Sequence, residues 1–241
     1  MSEEDDWEYR GAADQDLPLR DRMRSERREV GLLGLIGHRI SRAFISSYLK
    51  IWHRITIEGS QQLPTKTPFV LVANHSSHID ALALSTALPA HLTSRVFALA
   101  AGDFFFDTPR KSFFAAQAIN ALPVWRKRAT AHAIANLRER LVSGDAGFIL
   151  FPEGTRSRDG TLGAFKPGVG MLVAGTEIDV VPCHISGAHA AWPPGRKLPK
   201  PGRVSIRVGT PIRFAETAND RSGWIEVSQQ LLTAVEALSK T

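Results

Sequence analysis

Short apolar runs alternating with helical stretches constrain this chain more than any other feature. Runs rich in β-branched and aromatic residues occur at 54–57, 69–73, 96–100, 148–151, 180–185 and 204–208. Between them, 81–88, 109–119, 130–142 and 167–175 have helical character, and 223–239 closes the chain in the same way. Such alternation predicts an α/β layer fold. Several runs are continuously apolar, as in "FVLVA" at 69–73, which predicts strands covered on both faces. A chain of 241 residues with 43% hydrophobic composition fills one such core without requiring a second domain. The expected fold is therefore a single α/β domain whose mixed, mostly parallel sheet is flanked by helices.

Ahead of the first strand, residues 30–54 read "VGLLGLIGHRISRAFISSYLKIWHR". Leu32, Leu33, Ile36, Ile40, Phe44, Tyr48 and Trp52 recur at three- to four-residue spacing, the mark of an amphipathic helix. Arg39, Arg42, Lys50, His53 and Arg54 add cationic sites. Such a segment can pack on the core, or lie at a membrane interface with its bases at headgroup level. Residues 1–16 carry seven acids against Arg10, so the rest of the chain is more basic than the formal net charge of +6. A basic body favours an anionic partner: phosphate, nucleic acid or an anionic lipid surface. The expected organisation is an acidic disordered tail over 1–24, amphipathic helices over 25–54 and the folded domain over 55–241.

No stretch reaches the roughly 18 uncharged apolar residues of a spanning helix. The acidic N-terminus does not read as a secretory signal. The lone Cys183 excludes an internal disulfide and fits a reducing compartment. The chain is thus expected to be cytosolic, or to lie on a membrane without crossing it. The proline-rich "WPPGRKLPKPG" at 192–202 reads as a surface loop.

Two segments carry chemistry. In "LVANHSSHID", the strand over 69–73 delivers Asn74 and His75 to its C-terminal end, where α/β proteins bind ligands. A helix starting near Ile79 or Asp80 puts His75 and Asp80 on one turn, close enough for the carboxylate to bond an imidazole nitrogen. That pair can orient a general base, whereas Asp80 can equally be a helix cap. Ser76 and Ser77 lack a G-x-S-x-G elbow and read as caps rather than nucleophiles. His78 stays open between a second base, a metal ligand and a solvated loop residue. In "ILFPEGTRSRDGTLGAFKPGVG" at 149–170, a strand runs into Pro152-Glu153-Gly154, followed by Thr155, Arg156, Arg158 and Lys166. Pro167 is suited to open a helix. Arginines, a lysine and a helix N-terminus on one loop suggest a phosphate-sized anion site.

Together, "NHSSHID" and "FPEGTRSRDG" resemble the blocks of the glycerolipid acyltransferase family, the PlsC-type lysophosphatidate acyltransferases. His75 and Asp80 match its H-x-x-x-x-D block, and residues 151–157 match its F-P-E-G-T-R-S block. A third block ending in arginine is represented by Arg126 in "PVWR", which departs from the usual form. A fourth, an apolar strand ending in proline, is represented by Pro182 in "VVPCHISGA". The resemblance covers roughly residues 55–214.

The resemblance implies an O-acyltransferase that moves a fatty acyl group from an acyl thioester to a lysophospholipid hydroxyl. The expected acceptor is 1-acylglycerol-3-phosphate, giving phosphatidate. His75 is implied to be the general base and Asp80 its orienting partner. Arg126, Glu153, Gly154 and Arg156 are implied to shape the acceptor and phosphate site, with Thr155 and Lys166 beside them. No acyl-enzyme and no bound cofactor or metal are expected; acyl-CoA or acyl-ACP serves as co-substrate. The expected partners are the two substrates, an anionic membrane surface and, for an ACP donor, acyl carrier protein, but not nucleic acid. This places the protein peripherally at the cytoplasmic face of the membrane. The phenylalanine-rich stretch 97–125 is expected to line an acyl groove. Three alternatives remain at this level: another lysolipid or alcohol acceptor, a non-catalytic anionic-membrane module, and a metal-dependent hydrolase built on His75, His78 and Asp80.

Overall fold

The computed structural model describes residues 16, 18, 32–101, 108–124, 131–144 and 146–240. Arg126, Trp125, Phe104, Phe105, Phe106 and nearly all of the acidic tail over 1–24 lie outside the described residues. The elements in chain order are α1 (Leu32–Trp52), β1 (Thr56–Glu58), β2 (Phe69–Ala73), α2 (Ile79–Ala87), β3 (Val96–Ala101), α3 (Pro109–Ile119), β4 (Leu122–Val124), α4 (Ala131–Val142), β5 (Gly147–Leu150), α5 (Gly168–Val173), β6 (Asp179–Ser186), α6 (Ala188–Ala191), β7 (Ser205–Val208) and α7 (Arg221–Lys240).

The strands form one seven-stranded sheet in the order β1-β7-β6-β2-β5-β3-β4. Every neighbouring pair is parallel except β6 and β7. The α/β expectation therefore holds, including the mixed, mostly parallel sheet. The apolar run of β2 is fully buried because alternate residues feed two different cores. Phe69, Leu71 and Ala73 join Leu49, Ile79 and Ala115 on one face. Val70 and Val72 join Leu137, Val173 and Leu231 on the other. Burying each larger side chain of this kind contributes about 1.5–3 kcal/mol, so the central strand is held from both sides.

Three details depart from the sequence reading. The short edge strand β4 and the single-turn helix α6 carry too few residues to show a period. Pro182 does not end its strand: it sits inside β6 opposite Val72, and the strand continues to Ser186. The middle of the apolar stripe of α1 faces outward. Ile36, Ile40 and Phe44 point to solvent, whereas His38, Leu49 and half-buried Arg42 turn inward. The Arg42 guanidinium donates to the carbonyls of Ser85, Thr86 and Leu88, capping the C-terminal end of α2. His38 Nδ1 pairs with the Gln117 carbonyl, and buried His53 Nε2 pairs with the Tyr48 hydroxyl. Arg42 and His53 are thus structural, as the core-packed alternative for this helix requires.

The parallel pairing of β2 with β5 positions the site. Val72 lies opposite Leu150, so both strands end at the same edge of the sheet. The loops that follow, one beginning at Asn74 and the other at Phe151, therefore emerge side by side.

Candidate active site

Asn74 closes the strand end before the reactive turn begins. Its buried amide donates to the Ile185 carbonyl at 2.9 Å and accepts the Ile185 N–H at 2.7 Å, locking β2 to β6. The sequence placed it at the strand end without assigning it a role. An asparagine directly after an apolar strand, before the motif histidine, was the available signal. Asn74→Ala strips both partners from a buried backbone pair and is expected to cost about 2–3 kcal/mol. An unchanged urea midpoint would disprove the clamp.

The turn 75–80 is organised around one buried carboxylate oxygen. Asp80 Oδ2 accepts the N–H groups of Ser76 and Ser77, each at 2.7 Å, and His75 Nδ1–H at 2.9 Å. Asp80 is fully buried, in the first turn of α2, where a helix N-terminus favours negative charge. Its second oxygen, Oδ1, is buried without a hydrogen-bond partner among the described residues. With Nδ1 donating, the His75 tautomer carries its lone pair on Nε2. The ring stacks on Phe151, 4.2 Å between centroids and 20° from parallel, and its side chain remains 18% exposed. This arrangement can accept a proton from a bound hydroxyl.

The serines are spacers and caps. The Ser77 hydroxyl accepts the Ile79 N–H and donates to the Trp192 carbonyl at 2.8 Å, and Ser76 is buried. Cys183 is wholly buried, and burial pushes its thiol up to about 12, so it carries no thiolate.

The second loop is fastened to the first. Glu153 Oε1 accepts the His75 backbone N–H at 2.7 Å, and its Oε2 accepts the Gly163 N–H at 3.1 Å. Ser157 N–H donates to the His75 carbonyl at 2.8 Å. Burial raises the Glu153 carboxyl above its ordinary value, opposed by its hydrogen bonds from His75 and Gly163. Gly154 holds φ at 71°, and a Cβ there would stand 2.8 Å from Lys166 Nζ. The lysine head thus lies directly over the glycine. Thr155 is exposed between Gly154 and Arg156. Pro167 takes the cap position of the six-residue α5 rather than its first turn.

His78, left open by the sequence, is a partner of Arg156. Arg156 Nη1 donates to His78 Nε2 at 2.5 Å, and the His78 ring lies 5.2 Å from that of Trp192. Burial first, and then the Arg156 charge, lowers His78 to about 4, so it is a neutral acceptor near pH 7. A guanidinium at this nitrogen is incompatible with a cation there. Among the described residues no group of three His, Cys, Asp or Glu side chains could hold a metal. The structure therefore brings His75, Asp80, Glu153, Gly154, Arg156 and Lys166 to one sheet edge, with His78 turned to Arg156. Of the phenylalanines expected to line an acyl groove, Phe97 is buried in the core and Phe114 is 62% exposed, while Phe104, Phe105 and Phe106 lie outside the described residues.

A family model described as acyltransferase matches residues 54–186. The chain is 31% identical over 73% of its length to the chloroplastic 1-acyl-sn-glycerol-3-phosphate acyltransferase LPAT1 of Arabidopsis thaliana, covering 48% of that protein. It is 28% identical over 66% of its length to 1-acyl-sn-glycerol-3-phosphate acyltransferase alpha of Mus musculus, covering 55% of it. The chain thus spans about half the length of these curated relatives. The solved structure of the 1-acyl-sn-glycerophosphate (LPA) acyltransferase PlsC from Thermotoga maritima shares the fold. It covers 84% of this chain and 78% of its own, with a TM-score of 0.64 and 24% identity.

Proposed function

The chain belongs to the acyltransferase family, and from that premise we propose that it transfers a fatty acyl group from an acyl thioester to the hydroxyl of a lysophospholipid. The proposed acceptor is 1-acylglycerol-3-phosphate and the product phosphatidate. One observation carries this reading: the Glu153 carboxylate grips the backbone of His75. An imidazole base and a cationic loop are thereby held as one unit.

In the proposed reaction, the acceptor oxygen attacks the thioester carbonyl carbon while His75 Nε2 takes its proton. Asp80 orients the ring and balances the imidazolium. The tetrahedral intermediate collapses with cleavage of the C–S bond, and the proton passes to the departing thiolate. No acyl-enzyme is needed, consistent with the buried Cys183 and the hydrogen-bonded Ser77. Arg156 and Lys166 bind the acceptor phosphate, each charge-assisted contact contributing about 1.5–3 kcal/mol. His78 accepts a hydrogen bond from the guanidinium, and Arg126 is proposed to join the same anion site. Holding both substrates together supplies much of the remaining acceleration.

The protein is further proposed to sit peripherally on the cytoplasmic face of a membrane through α1. Exposed Ile36, Ile40 and Phe44 offer an apolar face, with exposed Arg39 beside it. Among the described residues, no helix is long and apolar enough to cross a membrane.

The test is a labelled acyl-transfer assay with acyl-CoA and acyl-ACP against lysophosphatidate, lysophosphatidylcholine and monoacylglycerol. Phosphatidate should form at least roughly tenfold faster than any product from monoacylglycerol, as expected when phosphate contacts hold the acceptor. Equal rates with the phosphate-free acceptor would overturn the headgroup assignment. No product with any pair would overturn the enzyme reading.

A further inference from the structure

We propose that the loop over 193–203, together with the C-terminal end of α1, forms a second lipid contact that seats the catalytic edge on an anionic phospholipid surface. The proposal rests on the reading of the protein as a membrane-lipid enzyme. It concerns a surface separate from the Ile36–Ile40–Phe44 stripe.

Three large apolar side chains stand out of this region: Leu198 is 75% exposed, Ile51 78% and Trp52 45%. Around them Lys50, Arg54, Arg196, Lys197, Lys200 and Arg203 are all exposed. The loop and the helix end are joined through the backbone. Gly202 N–H donates to the Trp52 carbonyl at 3.3 Å, Val204 N–H to that of His53 at 3.0 Å, and Lys200 N–H to that of Ala191 at 2.8 Å.

The projection of Leu198 is built. Trp192 Nε1–H donates to the Arg196 carbonyl, and Arg196 Nε–H to the Leu198 carbonyl, each at 2.8 Å. Pro193, Pro194, Pro199 and Pro201 restrict the backbone further. Hydrophobic collapse would fold a leucine inward; here proline and hydrogen bonds hold it at the tip. Apolar tips amid lysines and arginines suit a headgroup layer, where cations meet phosphates and the tips enter the acyl boundary. An acidic protein would answer the charges but leave the apolar tips without a comparable solvent.

The other end of the loop touches the site. The Trp192 carbonyl accepts the Ser77 hydroxyl, and its ring faces that of His78, the residue holding Arg156. Seating the loop therefore sets the height and tilt of the His75–Asp80 turn over the leaflet from which the acceptor must come.

The experiment uses the full chain. The native chain has one cysteine, Cys183, which is fully buried. Leu198→Cys thus offers a uniquely accessible thiol for an environment-sensitive fluorophore, and Phe44→Cys is a parallel reporter on α1. The Leu198→Cys label should shift to the blue on phosphatidylglycerol-rich vesicles and far less on pure phosphatidylcholine. Lys197→Glu should weaken partitioning to the anionic vesicles roughly tenfold, given about 1 kcal/mol per basic residue near such a surface. If only the α1 label responds, this proposal falls while docking through α1 stands; if neither responds, both fall. A response to acyl carrier protein without one to vesicles makes the loop a protein-docking surface and overturns the lipid assignment. Unchanged partitioning of Lys197→Glu does the same for the cationic contribution.

Discussion

His75→Ala is expected to abolish acyl transfer to within assay limits, a fall of about 10³–10⁴ in kcat, near the top of the range for a positioned general base. The prediction follows from where the lost atoms sit. Nδ1 is held by Asp80, the ring plane is set by Phe151, and only the Nε2 edge is left for a substrate hydroxyl. The variant should fold. The bonds that hold residue 75 to Glu153 and Ser157 use its backbone N–H and carbonyl, which alanine retains. Stability should fall by only about 0.5–1.5 kcal/mol from the lost ring stack. His78 cannot deputise, because its Nε2 is occupied by Arg156. Steady-state kinetics with a thermal melt decide the matter, and a folded variant turning over near the native rate rules out His75 as the base.

Asp80→Asn should lower kcat by about 10²–10⁴, a range reasoned from general-base catalysis and from the tautomer loss seen when a triad aspartate becomes asparagine. An amide oxygen can still accept the Ser76 and Ser77 N–H groups, so the turn survives. What disappears is the negative charge facing the imidazolium and the preference for a proton on Nδ1. Because Asp80 does not contact the acceptor, KM should move little while kcat collapses. Asp80→Ala goes further: it leaves two N–H groups unsatisfied in a buried turn, at about 1–3 kcal/mol each. Its melting temperature should fall where that of Asp80→Asn does not. Native kcat in Asp80→Asn would reduce the aspartate to a helix-capping role.

Much of the site was legible because it is local. The strand ending at Ala73, the helix opening at Ile79 and the five-residue step from His75 to Asp80 are short-range facts, and they force imidazole and carboxylate onto one turn. The same holds for the capping character of Ser77. Legibility failed where a side chain's role depends on a distant surface. Arg42 and His53 read only as cationic sites on the helix pattern, yet Arg42 caps α2 and His53 pairs with Tyr48. The apolar stripe of α1 was visible as a period, but a period does not say which way the stripe faces. His78 was undecidable until Arg156, far along the chain, arrived at its Nε2.

The sequence by itself determined the α/β class, the central apolar strands and the placement of His75 and Asp80 on one turn, because hydrophobic period and turn spacing act within a few residues. Only the tertiary structure decided that Glu153 grips the backbone of His75, that Arg156 rests on His78 and that Trp192, at the head of the 193–203 loop, is tied to Ser77. Each of those contacts requires β2 to lie beside β5 or β6. Strand neighbourhood is set by the packing of the two cores on either face of the sheet, which no local stretch of the chain records.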